Sequence, residues 1–387
     1  MSADFGFDAV NIAELRRRGG QKWRRYGPDV LAAWVADMDF APAPAVREAL
    51  IALVDQGDLG YPYWPAGSPL REALAGRMAA RYGWQIDPAQ VRELCDIIQG
   101  VQLALELATK PGDAVALHTP TYPPFLSSLR AMRRRIVEIP METSGATWRF
   151  DKERAARELG AANCRALLLV HPHNPTGKVF ARDELEALAE IAERLDLLVI
   201  SDEVHAELTY PGAHHVPFAS LGEATQARTV TLTSATKAFN LAGIRCALAH
   251  IGPQALRERR DAAPFALYGT PSVLGVAATL AAWRDGGAWL AALVEYLAAN
   301  RDHLAARLRA ETALELVPPQ ATYLAWIDAS PLQIGAEPAD VALERGRVAL
   351  SPGTDFGAQG RGHARLNFAT SREILDAVID AVVTALA

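Results

Sequence analysis

Four short apolar runs frame the chain: residues 114–117, 166–170, 197–200 and 229–233. None admits a charged position, the pattern of parallel strands buried on both faces. Helical periodicity fills the intervals. Residues 183–195 carry Leu185, Leu188, Ile191 and Leu195 at helix spacing, which predicts a βαβ unit with the flanking strands. Upstream, Val46, Leu50, Leu53 and Val54 share one helix face, and a second helix is predicted over residues 70–82. At 97–107 a short apolar run passes through Gly100 into another helix. Downstream, residues 277–283 and 289–308 read as helices, while 321–327 and 364–368 alternate as strands with one wet face. The run Thr370-Ser371-Arg372-Glu373 predicts a capping box that opens a last amphipathic helix through Ile374, Leu375, Val378 and Val382.

Residues 1–45 lack this periodicity and are rich in aromatics, among them Trp23, Tyr26, Trp34 and Phe40. Such a segment is stable only against the rest of the molecule. The predicted organisation is an N-terminal arm (1–45), a large domain (46–284) with a mostly parallel sheet, and a smaller α/β domain (285–387) to which the arm contributes.

The chemistry-bearing residues follow the strands directly. Tyr122, Asn174, Asp202 and Lys237 each come just after one of the four runs. Open α/β sheets bind ligands at the carboxyl ends of their strands, so these four side chains are expected on one edge. Ser234 precedes Lys237 and Arg245 follows it by two helical turns, which sets an amine beside phosphate-binding groups. A lysine held there can form a Schiff base with pyridoxal phosphate, although a solvated lysine on a turn fits the same stretch taken alone. Backbone N–H groups near Gly100 can face a phosphate, or the glycine can mark an ordinary tight turn. The loop Gly60-Tyr61-Pro62-Tyr63-Trp64-Pro65 has a backbone fixed by glycine and proline, and either presents its aromatics or caps a helix pair. His171, His173, His205, His214 and His215 invite a metal, but the prolines between them and the missing carboxylate spacing speak against it.

Composition narrows the partners. The 387 residues are 50% hydrophobic and 22% charged with a net charge of −6, so nothing asks for nucleic acid. The three cysteines, Cys95, Cys164 and Cys246, have no paired spacing, as expected in a reducing compartment. The acidic first residues do not resemble a signal peptide and no segment approaches a membrane span, so a cytoplasmic protein is expected. The glycine fingerprint of a dinucleotide site is missing after the first strand.

The motifs His173-Asn174-Pro175-Thr176-Gly177, Ser201-Asp202-Glu203-Val204-His205 and Ser234-Ala235-Thr236-Lys237 resemble those of the class I/II pyridoxal-phosphate-dependent aminotransferase-fold family, fold type I. Within it, Trp34-Val35-Ala36-Asp37-Met38-Asp39-Phe40 and Asp202-Glu203-Val204-His205-Ala206-Glu207-Leu208 are similar to carbon–sulfur β-lyases of the MalY/PatB type, including cystathionine β-lyases. The resemblance implies that Lys237 holds the cofactor and then shuttles protons. By the same resemblance Asp202 pairs with the pyridine nitrogen, Asn174 bonds the phenolic oxygen, Tyr122 stacks on the ring and His205 lies near it. Gly100, Val101, Ser234 and Arg245 would hold the phosphate, Tyr61 would reach it across a homodimer interface, and Arg365 would grip the substrate α-carboxylate. The implied reaction cleaves the Cβ–S bond of cystathionine or a cysteine S-conjugate to a thiol, pyruvate and ammonia. The residues by themselves leave transamination open, and a cofactor-binding regulator with little turnover is the alternative of another class. Relatives usually carry proline where Gln102 stands and a longer loop before Pro111, departures that bear on substrate shape.

Overall fold

The computed structural model describes residues 4–65 and 67–386. A seven-stranded sheet is built from β1 (Val91–Leu94), β2 (Ala114–Thr119), β3 (Arg135–Pro140), β4 (Cys164–Val170), β5 (Leu198–Asp202), β6 (Thr229–Thr233) and β7 (Ala247–Ile251). Their order across the sheet is β1-β7-β6-β5-β4-β2-β3. The five strands from β6 to β3 run parallel, and β7 pairs antiparallel with both β1 and β6. All four apolar runs are therefore central strands, and β2 and β6 are buried along their whole length. Burial on both faces explains why such a strand carries no charge: an unpaired ion there would cost several kcal/mol.

Helices cover both faces of this sheet. They include α1 (Pro44–Asp55), α2 (Pro69–Tyr82), α3 (Ile97–Ala108), α4 (Arg182–Arg194) and α5 (Val273–Asp285), whereas α6 (Gly287–Glu311) and α7 (Arg372–Leu386) pack on each other. Helix α4 buries Leu185, Leu188 and Ile191 as its spacing predicts, and Glu184 Oε2 accepts the Ala181 N–H at 2.9 Å to close its first turn. A second, antiparallel sheet joins β8 (Glu315–Leu316), β9 (Leu324–Asp328), β10 (Ser351–Pro352) and β11 (His363–Asn367) in the order β8-β9-β11-β10.

The capping box expected at α7 is not formed. The hydroxyl of Thr370 is buried without a partner, that of Ser371 donates to the Val10 carbonyl at 3.4 Å, and the Arg372 N–H is shared between the Tyr296 hydroxyl at 2.9 Å and Asp8 Oδ1 at 3.2 Å. The helix start is tied to the N-terminal arm, which takes the Ser371 hydroxyl and leaves that of Thr370 unpaired.

The arm itself is latched rather than periodic. Leu31 and Ala32 pair with Val348 and Ala349, and the Asn367 amide donates to the carbonyls of Val35 and Asp37, both at 2.6 Å. Asn240 reaches the same arm from the other side, accepting from Met38 N–H at 3.0 Å and donating to Phe40 O at 2.9 Å. A buried ion pair, Lys22 Nζ to Asp39 Oδ2 at 2.9 Å, completes the attachment, and Trp23 Nε1 donates to the other carboxylate oxygen at 2.7 Å. Pairing both oxygens is what makes a buried carboxylate tolerable.

Candidate active site

At the carboxyl edge of the parallel strands lies a cavity of about 200 Å³. Of the eleven residues singled out by sequence, Tyr122, Asn174, Asp202, His205, Ser234, Lys237 and Arg245 line it. Arg365 joins from β11 by donating Nη1–H to Asn174 Oδ1 at 2.9 Å. Larger hollows of about 490, 520 and 700 Å³ open elsewhere; no lysine lines the last two, and the lysines of the first, Lys152 and Lys178, are held by Asp183 and Glu184.

Lys237 enters from the loop after β6. Its Nζ donates to the carbonyl oxygen of Ala36 at 2.8 Å, so the arm supplies the acceptor. Burial pulls the ammonium below its ordinary value, and the Arg365 charge adds to the pull. The carboxylates of Asp37 and Asp202 oppose it. Asp202 ends β5, and Val204 N–H donates to its Oδ1 at 3.1 Å. Burial pushes its carboxyl up to about 7; the Val204 bond and the Lys237 charge work the other way and the neighbouring Glu203 adds to the rise. The low-polarity surroundings thus favour the neutral form of both groups. A cation set against Asp202 favours its charged form, because a nearby opposite charge lowers a carboxyl's pKa.

Arg365 is 4% exposed, and its Nε is buried without a partner. Besides Asn174 it donates to Trp34 O and Ser351 Oγ, both at 3.2 Å, and it lies 4.8 Å from the Phe356 ring centre. Burial lowers it to about 10. His205 is buried near Tyr323, 6.2 Å between ring centres, and burial drives its imidazole down to about 3, so it is neutral. Tyr122 packs edge-on against Phe125 at 5.5 Å.

At the far end of the cavity, the Ser234 hydroxyl lies 2.5 Å from Cys246 O and 2.8 Å from Thr236 Oγ1, and accepts the Thr236 N–H at 3.0 Å. Arg245 adopts a left-handed backbone, φ 58°, and pairs with Asp96 while its side chain stays largely exposed. Hydroxyls, a guanidinium and a helix start form a set suited to a phosphate.

Two expected phosphate ligands are placed differently. Gly100 and Val101 lie inside α3, and the Gly100 N–H is already spent on Asp96 O at 3.1 Å. A side chain at Gly100 would collide with Leu232 and Leu94 of the core, at 2.7 and 2.8 Å, so close packing is the reason for glycine there. The helix begins at Ile97, and Ile97 and Ile98 line the cavity instead. The signal for this start was Asp96 three residues before Gln99: Asp96 Oδ1 accepts Gln99 N–H, and Gln99 Oε1 accepts Cys95 N–H, both at 2.8 Å. Tyr61 is fully exposed and does not line the cavity of its own chain. Ala36, Thr236, Cys95 and Cys246 line the cavity too, although only Ala36 and Thr236 belong to motifs singled out beforehand.

The arrangement can hold a small cationic ring that bears a phosphate, keep an amine close to it, and present an arginine for a carboxylate. Residues 34–382 match the family model described as aminotransferase class I and II. A cystathionine beta-lyase of Corynebacterium glutamicum is 34% identical over 94% of this chain and 96% of its own. The cystathionine beta-lyase PatB of Bacillus subtilis is 33% identical over 89% of this chain and 91% of its own. Among solved structures, the pyridoxal-phosphate-bound C-S lyase of Staphylococcus hominis superposes with a TM-score of 0.92 at 28% identity, covering 98% of each chain. Matched in fold over nearly its whole length and in sequence from the arm to the last helix, the chain belongs to the class I and II aminotransferase family.

Proposed function

We propose that this protein is a pyridoxal-phosphate-dependent carbon–sulfur β-lyase that converts cystathionine or another cysteine S-conjugate, with water, to a thiol, pyruvate and ammonia. The observation that carries this is a desolvated amine, Lys237, opening into the same cavity as a buried carboxylate, Asp202, with Arg365 beside them. The likeness to cystathionine beta-lyases supports elimination over amino transfer.

The cofactor, when bound, supplies an electron sink for the charge left on Cα when its proton departs. Asp202 would pair with a positive charge on that ring, and so would lower the energy of the charge left on Cα. Lys237 takes the Cα proton, a task for which a desolvated amine is suited. Arg365 binds the α-carboxylate through its planar fork while its bond to Asn174 fixes the guanidinium plane. Ser234, Arg245 and the backbone at the start of α3 would hold the phosphate.

A homodimer belongs to the same proposal. Tyr61 protrudes with Tyr63, Leu59, Val54 and Ile51, all exposed, and an apolar surface of this kind marks an interface. A second copy would then bring its tyrosine to the phosphate. The division into an arm (1–45), a cofactor domain (46–284) and a small domain (285–387) is also proposed, on the two separate sheets. No helix among the described residues is long and apolar enough to cross a membrane. A cytoplasmic location is proposed on the three free cysteines.

Incubation with cystathionine tests the reaction. Pyruvate released in step with a free thiol is expected. Transfer of the amino group to an added keto acid, with no pyruvate from any cysteine conjugate, would replace elimination by transamination. Binding of the cofactor without turnover of either kind would favour a regulator.

A further inference from the structure

We propose that Cys95 and Cys246 form an oxidisable dithiol, a cross-strand disulfide site in the wall of the cavity. Strands β1 and β7 pair antiparallel with Glu93 opposite Leu248 and Leu94 opposite Ala247. The ladder ends at Leu94 and Ala247, and continuing its register by one step would set Cys95 opposite Cys246. Residues directly opposite in an antiparallel pair have Cβ atoms about 4.5–5.5 Å apart and share a face, the spacing from which a disulfide closes with little movement.

The side chains agree with that placement. Leu94 and Ala247 face the core under α3, whereas Cys246 and Leu248 face the opposite core with Val276 and Ala278 of α5. Cys95 points to this second face as well, because its Sγ lies 3.5 Å from Thr270 O, just before α5. The Cβ that Gly275 of α5 lacks would stand 3.1 Å from the Cys246 Cβ. Cys95 Sγ thus meets the segment before α5 and the Cys246 thiol bonds Thr279 within α5, so both lie on the α5 side of the sheet, and both residues line the cavity.

Their reactivities differ in a useful way. Cys95 is half-buried and reachable, while Cys246 is 1% exposed and burial pushes its thiol up to about 11. Cys95 is thus the sulfur that meets an oxidant and Cys246 the one that resolves it. With hydrogen peroxide, the Cys95 sulfur attacks one oxygen, the O–O bond breaks, and a sulfenic acid and one water form. The Cys246 sulfur then displaces the sulfenic hydroxyl, which leaves as a second water with the Cys246 thiol proton. Two thiols are oxidised and one peroxide is reduced.

The bond would act on the phosphate end of the cavity. Cys246 O accepts from Ser234, and the residues next to the two cysteines, Asp96 and Arg245, form an ion pair. Drawing the two strand ends together shifts that whole rim, so pyridoxal phosphate binds more weakly to the linked form. This second statement rests on the function proposed above; the disulfide itself does not.

The full-length protein, reduced and then treated with about one equivalent of hydrogen peroxide, is alkylated, digested with trypsin without reductant and weighed. A peptide spanning residues 93–130, since the Lys110–Pro111 bond resists trypsin, joined to one spanning 246–257 is expected, with Cys164 alkylated. Cys164 sits buried on β4, with β6 and β5 between it and β7, and serves as the internal control. Cys95→Ser should abolish the link and leave Cys246 alkylated. Three alkylated thiols in the parent, Cys95 carried to a sulfinic acid with Cys246 free, or Cys95 linked between two chains would each overturn the pair. A link that forms while pyridoxal phosphate affinity, read by absorbance, stays unchanged would overturn its coupling to the cavity. Weaker binding restored by dithiothreitol is the expected result.

Discussion

Lys237 and Tyr323 donate to one and the same oxygen. The carbonyl of Ala36 accepts from Lys237 Nζ at 2.8 Å and from the Tyr323 hydroxyl at 2.8 Å. The amine that carries the chemistry is therefore parked against the N-terminal arm, and the arm is held there by a phenol from the small sheet. Removing the phenol tests the coupling: Tyr323→Phe should cost about 1 kcal/mol, the net worth of one buried hydrogen bond, read as a lower urea midpoint. An unchanged midpoint would mean that the bond contributes nothing to holding the arm.

Lys237→Ala should lower turnover at least about 1000-fold, in the range for loss of a general base, with the far-ultraviolet circular dichroism unchanged. Activity that survives this change would assign the proton transfer to another group.

Arg365→Lys should reduce kcat/KM roughly 10- to 100-fold, mostly through KM, because an ammonium cannot bond Asn174, Ser351 and a substrate carboxylate in one plane. A purely structural arginine would instead lower stability and leave KM alone.

The carboxyl of Asp202 stands at about 7 when folded, against an ordinary value near 3.8. Between these values the folded chain holds a proton that the unfolded chain has released, so stability falls as pH rises from about 4 to about 7. Buried histidines held low, His205 and His215 among them, give the opposite slope below about 6.5. The comparison that isolates Asp202 is thus a difference: in cofactor-free protein, Asp202→Asn should gain stability relative to the parent between pH 5 and pH 7, measured by urea titration at each pH. A difference independent of pH would show that Asp202 is already ionised in the fold.

Tyr61→Ala and Lys237→Ala, each inactive alone, should complement when unfolded together and refolded as a mixture. In a mixed dimer one site has its own Lys237 and a partner tyrosine, so roughly a quarter of the sites recover. No recovery would put Tyr61 to work within its own chain or nowhere.

The strand-end residues were legible because burial on both faces leaves an unmistakable pattern: charge-free runs followed at once by Tyr122, Asn174, Asp202 and Lys237. Long-range latches left no such trace. The Ala36 carbonyl is a backbone group in an aperiodic arm, and its phenol partner lies 287 residues away. Gly100 misled for a physical reason, since glycine serves equally to open a helix and to let a helix approach a sheet, and here Leu94 and Leu232 demand the second. Thr370 and Glu373 had the spacing of a capping box, but a tertiary partner, Asp8, took the helix start.

Reduction of the cofactor-loaded protein with borohydride, followed by digestion and mass spectrometry, measures the central relationship most directly. A phosphopyridoxyl group on Lys237 alone, absent in Lys237→Ala, is the expected outcome. A label on any other lysine, or none after saturation with pyridoxal phosphate, would contradict it.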